Sequence, residues 1–177
     1  MNHPEEAIQN LLEERSLPQA FAGYFAATLG WVLFFNITSG ASVAALAFKM
    51  AIVFIAELTA GYFLAAFCGL FLDFCQVKTS PVQLFVLIGS AGFIKGLLIA
   101  FALISAAFPF ARLGLFAPLA LLLVLGLQLG YLTRCVKRAY GTTYFKALGA
   151  WLFAFVPGLV ALSLLGVFML WSVVLLF

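Results

Sequence analysis

At 177 residues, with 66% hydrophobic and 8% charged side chains and a mean hydropathy of +1.21, the chain lacks the polar residues to cover its apolar runs with a water-facing surface. Nine Lys and Arg against six Asp and Glu leave a net charge of +3, concentrated in one connection, which speaks to membrane orientation and excludes a nucleic-acid-binding stripe. His3 is the only histidine, and Cys68, Cys75 and Cys135 have no paired ligand spacing, so no catalysis, cofactor or metal centre is expected.

The expected fold is all-α, a polytopic membrane protein. Residues 1–16 read as a short amphipathic helix on the cytoplasmic surface, because Ala7, Ile8, Leu11 and Leu12 recur at helical spacing and Pro4 suits a first turn. Glu5, Glu6, Glu13 and Glu14 against the single Arg15 are unlike the basic start of a secretory signal, so the first span is expected to stay in the mature protein. Residues 17–177 then form one five-helix membrane domain. Its spans are Leu17 to Ile37, Ser42 to Leu72, Val82 to Phe108, Leu113 to Thr133 and Ala147 to Phe177, each long enough for a hydrocarbon core of about 30 Å. Ser80 and Pro81 look like the start of the third span. Tyr140-Gly141 marks a turn before the fifth, where Thr142 or Thr143 can cap the helix.

On this plan Arg15, Lys78, Arg134, Lys137, Arg138 and Lys146 share one face and Arg112 stands alone on the other. The positive-inside rule then places the N-terminus in the cytoplasm and the C-terminus outside, as in a bacterial inner membrane. The connection carrying Arg134, Lys137, Arg138, Tyr140, Gly141 and Lys146 is the candidate interaction surface. It could face the acidic N-terminal helix or a partner, or serve only to anchor and cap the spans.

Lys49, Glu57 and Lys95 are the ionisable side chains inside the long apolar stretches, where a charge persists if it is paired, snorkels or lines a polar path. Glu57 lies about 24 Å along the second span from Asp73, and Lys95 about 21 Å along the third from Pro81. On antiparallel neighbours those depths match, so the two can pair. Lys49, roughly 12 Å further out, is expected to snorkel toward headgroups. Gly92 and Gly96 on one face of the third span, and Thr59-Ala60-Gly61 after Glu57, predict close packing of spans two and three around the pair. The pair is then either a packing device or the lining of a polar pocket or path. The 21 Phe residues read as lipid-facing and core bulk.

The run from Gln76 through Pro81 to Ala91, the step Tyr140-Gly141-Thr142-Thr143 before Lys146-Ala147, and Pro4, Glu5 and Glu6 ahead of a helix together make the chain, from about Leu58 to Phe168, resemble the Yip1 domain of five-span membrane proteins. The run from Gln76 through Thr79, Ser80 and Pro81 to Ala91 is similar to that family's polar turn into its third span. Tyr140-Gly141-Thr142-Thr143 followed by Lys146-Ala147 is similar to its turn before the last span. Pro4, Glu5 and Glu6 ahead of a helix, with Pro18 before the first span, match its lead-in segment. The chain departs from the pattern in having no glycine at the Gln76 turn and no proline near Phe93. The resemblance implies a five-span, N-inside protein without enzymatic activity. Eukaryotic members serve vesicle trafficking with small GTPase partners through a long N-terminal region. This chain looks more like the prokaryotic members, and that partnership is not carried over.

The leading expectation is therefore a non-enzymatic scaffold or adaptor of Yip1 type, in membrane organisation or trafficking. The alternatives are a small transporter or lipid-handling protein using Glu57 and Lys95, and a membrane subunit of a larger complex. Expected partners are the lipid bilayer and a second copy or another membrane protein, with no nucleic acid.

Overall fold

The computed structural model describes residues 17–37, 42–108, 115–157 and 160. The amphipathic helix expected over residues 1–16, the turn at 38–41, Arg112 and the fifth span past residue 157, except 160, lie outside the described residues. Among the described residues six helices follow in order: α1 Leu17–Asn36, α2 Val43–Phe74, α3 Pro81–Lys95, α4 Leu97–Ala107, α5 Phe116–Ala139 and α6 Tyr144–Pro157. Joining α3 and α4 as Pro81–Ala107, four segments are long and apolar enough to cross a membrane. At its described length α6 falls short of the roughly 20 residues a crossing takes.

Two boundaries differ from the sequence expectation. The fourth span does not stop at Thr133, because no helix breaker occurs before Gly141. Arg134, Lys137 and Arg138 therefore ride on the last two turns of α5 and are not in a loop; Lys137 and Arg138, in the last turn, favour its negative C-terminal end. The third span is broken at Gly96, whose N–H bonds back to Phe93 O while Ile99 N–H bonds to Gly96 O, both at 3.0 Å. These tighter three-residue turns interrupt the α-helix one residue after Lys95.

At the end of the bundle that carries the 75–80 and 140–143 turns, α2 and α5 finish in the same way. Thr142 N–H reaches Lys137 O at 3.1 Å around Gly141 (φ 60°), and Val77 N–H reaches Leu72 O at 2.9 Å around Gln76 (φ 62°). Both are left-handed caps of the Schellman kind. Gly141 adopts this backbone freely. Gln76 does so at a cost of about 1 kcal/mol, which is how this turn closes without the expected glycine. Ser80 and Pro81 begin α3 as expected, and Thr143 caps α6 by accepting from Lys146 N–H at 3.4 Å.

The centre of the fold is the contact between α1 and α3. Ala20, Gly23, Ala27 and Gly30 are buried along one face of α1, at helical spacing. A side chain on Gly23 would overlap the Gly89 carbonyl, one on Gly92 the Gly23 carbonyl, and one on Gly89 would lie 2.7 Å from Ala20 Cβ. The two backbones touch, and the pairing of low with low and high with high numbers means they run parallel. The close approach expected between spans two and three is thus made by span one. Gly61 on α2 instead accommodates the Tyr24 ring, whose hydroxyl fills the space a Cβ would take. Leu72, Leu84, Val136, Ala147 and Trp151 share one core with these residues. Helix α2 buries no residue before Gly61, so the bundle is packed toward the turns and open toward the start of α2.

Gly23→Val should lower unfolding stability by about 2 to 3 kcal/mol, because backbone cannot move aside. Gly130→Ala, where a Cβ meets nothing within 4 Å, should change it by less than about 1 kcal/mol. Denaturant melts of both in micelles test the pair; equal melts would remove the α1–α3 contact as the reason.

Candidate functional site

Lys95 is the last residue of α3, and its carbonyl lies against Gly30 of α1 with no room for a side chain between. That contact sets the root of the lysine, and the side chain extends to α2. Its Nζ donates to both carboxylate oxygens of Glu57 at 2.8 Å, with each side chain 14% exposed. A two-oxygen contact of this kind fixes both groups in one geometry. The ammonium also stands 5.8 Å from the centre of the Trp31 ring on α1, within cation–π reach. Three helices are joined at one charge.

The pair is not sealed into a packed interface. It lines a cavity of about 690 Å³ together with Tyr24, Trp31, Gln128 and Trp151, against an otherwise apolar wall. On its other side Glu57 borders a shallower groove of about 420 Å³ between α1 and α2, which also holds Asn36 and Lys49. Lys49 is exposed there, and its ammonium donates to Asn36 Oδ1 across the groove. The structure therefore brings Glu57 and Lys95 together and leaves Lys49 apart.

The polar groups around the cavity are unevenly matched. Tyr24 spends its hydroxyl on the Phe85 carbonyl at 3.2 Å, its ring 5.0 Å from the Phe85 ring. Gln128 is 8% exposed in the middle of α5 and has no hydrogen-bond partner among the described residues. Trp151 is fully buried, and its indole N–H has no acceptor among the described residues. Such orphaned donors are uncommon and costly. Sequence reading passed over both residues. Gln128 carried a signal, an amide in an apolar span, whereas a tryptophan in an apolar run reads as bulk. Among the described residues no cluster of His, Cys, Asp or Glu could hold a metal.

The basic residues form a separate surface at the turn end. Arg134, Lys137, Arg138, Gly141 and Lys146 are exposed. Tyr140, half-buried, donates to Gln83 Oε1 at 3.4 Å and ties this surface to the start of α3. Burial pushes the Tyr140 hydroxyl up to about 12, a contact with the Ser80 backbone lowering it part of the way back and the nearby Cys68 raising it.

Among the described residues the fold and site define a class: an all-helical protein with four segments long and apolar enough to cross a membrane, holding an ion pair at the wall of a partly open cavity. Compared with known protein families, curated proteins and solved structures, the chain matches none.

Lys95→Met strands the Glu57 carboxylate at low dielectric and should cost about 3 kcal/mol of stability, as should Glu57→Gln for the stranded ammonium. The double variant should recover most of that loss. Unfolding of all four proteins in micelles gives the coupling, and single variants as stable as wild type would dismiss the pair as a structural element. For Tyr140, the folded state holds its proton through the window from pH 10 to 12 in which the unfolded chain releases it, so this residue's contribution to stability is lost as pH rises through that window. A tyrosinate absorbance titration, wild type minus Tyr140→Phe, should show its step near pH 12; a step near pH 10 would mean the hydroxyl is in water.

Proposed function

We propose that this chain is a lipid-handling membrane protein that binds a small amphiphile from the bilayer, without chemical turnover, at the cavity walled by Glu57 and Lys95. The observation that carries this is the ion pair's position on a cavity of about 690 Å³, a volume within the usual range for a small-molecule site. A pair that served packing alone would be enclosed by side chains. In this reading the chain crosses the membrane five times, with Ala147 to Phe177 as the last span, the N-terminus cytoplasmic and the C-terminus outside. The basic residues gathered at the turn end support that orientation in a bacterial inner membrane.

A second reading, the scaffold or adaptor of Yip1 type, draws on one observation. The exposed Arg134, Lys137, Arg138 and Lys146 form a surface that Tyr140 braces against Gln83, suited to an acidic partner. It predicts recovery of a stoichiometric partner from native membranes in mild detergent, lost on reversing those four charges.

The cavity reading is tested in proteoliposomes with a photoreactive acyl-chain probe and mass-spectrometric mapping. Wild type should be labelled on residues lining the cavity. Glu57→Gln/Lys95→Met, shown by its melt to be folded, should lose at least about tenfold of that labelling, the scale of a lost charge-assisted contact. Labelling confined to outer faces, or unchanged in the double variant, would end this reading.

A further inference from the structure

The basic surface at the turn end is left without counter-charge by the residues around it. Among the described residues the one ion pair joins Lys95 to Glu57, so the exposed Lys78, Arg134, Lys137, Arg138 and Lys146 have no carboxylate in contact. Arg134 and Arg138 stand one turn apart on the same face of α5, where like charges repel. Asp73 is the one acidic residue described at that end, and its carboxylate accepts from Thr79 Oγ1 at 3.3 Å. Five positive charges against one negative leave a net charge of +4 there.

The complement is in the same chain. Of its six acidic residues, four are Glu5, Glu6, Glu13 and Glu14, which against Arg15 give residues 1–16 a net charge of −3. Those residues lie outside the described ones, but the point at which they join the bundle is placed. Leu17 begins α1, and just beyond it the Phe21 ring meets the Phe85 ring of α3 at 6.4 Å while Tyr24 donates to the Phe85 carbonyl. At the end of α5 the Tyr140 hydroxyl reaches Gln83, also at the start of α3. The start of α1 and the end of α5 are therefore at the same end of the bundle, both helices packed on α3. With neighbouring axes about 8 to 10 Å apart, no more than about 20 Å separates them. Glu5 and Glu6 precede Leu17 by 12 and 11 residues, about 17 Å even along a helix. Glutamate and arginine side chains cover the few ångström that remain. An anionic bilayer surface would repel residues 1–16, and a soluble acidic partner lacks the high effective concentration that a short tether confers.

We infer that residues 1–16 dock on the basic surface at the end of α5, with Glu5 and Glu6 against Arg134, Lys137, Arg138 and Lys146. The docked segment occupies the surface itself, and an acidic partner or anionic lipid has to displace it to bind there. A single exposed ion pair contributes little, so the contact depends on several made together, and salt loosens them. This inference stands apart from the cavity and from what the cavity binds.

The test applies a zero-length carbodiimide crosslinker, which joins touching carboxylates and amines, to full-length protein held at one copy per phosphatidylcholine nanodisc, with the crosslinked peptides mapped by mass spectrometry. Glu5 or Glu6 should join Lys137 or Lys146, and the yield should fall at least about fivefold between about 0.01 M and about 1 M salt. Arg134→Glu/Arg138→Glu keeps both carboxylates and both amines, and should lower the yield by a similar factor through charge alone. If that variant does not fold, the salt series in wild type decides the matter. The crosslinks should persist when phosphatidylglycerol is added to the disc. Their absence from phosphatidylcholine discs, or a yield indifferent to salt or to the charge reversal, overturns the inference. Their loss on adding phosphatidylglycerol assigns the surface to anionic headgroups and overturns it as well.

Discussion

Where α1 meets α3, two helices approach until backbone touches backbone, and the position of the ion pair follows from that contact. Gly23, Gly89 and Gly92 leave no side chain in the gap, so dispersion between main-chain atoms replaces the interlocking of large side chains, as suits an environment where lipid offers no hydrophobic driving force. Further along the same line, Gly30 receives the carbonyl of Lys95. The lysine therefore starts from the α1 surface, passes Trp31 and meets Glu57 on α2. The ion pair is held by a steric arrangement that begins within two turns of it and ends at the lysine's own carbonyl.

The same packing explains why the bundle is tight at one end and open at the other. Toward the turns, Leu72, Leu84, Val136, Ala147 and Trp151 fill the space between the helices. Toward the start of α2 the helix buries nothing before Gly61, and its 32 residues span about 48 Å, longer than a hydrocarbon core. The helix leaves α1 along a groove, and the charges sit where packed and open regions meet. The break at Gly96 falls at the same level, so a span interruption, an ion pair and two cavities coincide. A lone charge at that depth would be strongly disfavoured; a pair that neutralises itself is not.

Much of this was legible from the chain. Apolar runs separated by short polar turns give the helices α1 and α2 nearly as they are found, and counting residues from Asp73 and Pro81 matches Glu57 to Lys95 in depth. Local turn chemistry at Ser80-Pro81 and Tyr140-Gly141 was equally readable, because a proline at a helix start and a glycine with positive φ act within a few residues. Charged residues at Arg134, Lys137 and Arg138 suggest the end of a span at Thr133, but charge does not stop a helix and α5 runs on to Ala139. The small size of Gly96 suggests packing, whereas the residue marks a break. Small residues at Gly92 announce a close approach without saying to whom, and the partner is span one.

Sequence by itself determined the apolar helical character, the sites of the turns and the need for Glu57 and Lys95 to find partners, since each depends on hydropathy, backbone preference or the cost of charge in hydrocarbon. Tertiary structure alone decided that the pair borders a cavity, that Gln128 and Trp151 face the same space, and that Trp151 is left with a donor and no acceptor. Those facts depend on which faces of non-neighbouring helices meet. Hydropathy along a chain carries no record of that, because in a membrane lipid-facing and helix-facing surfaces are alike apolar.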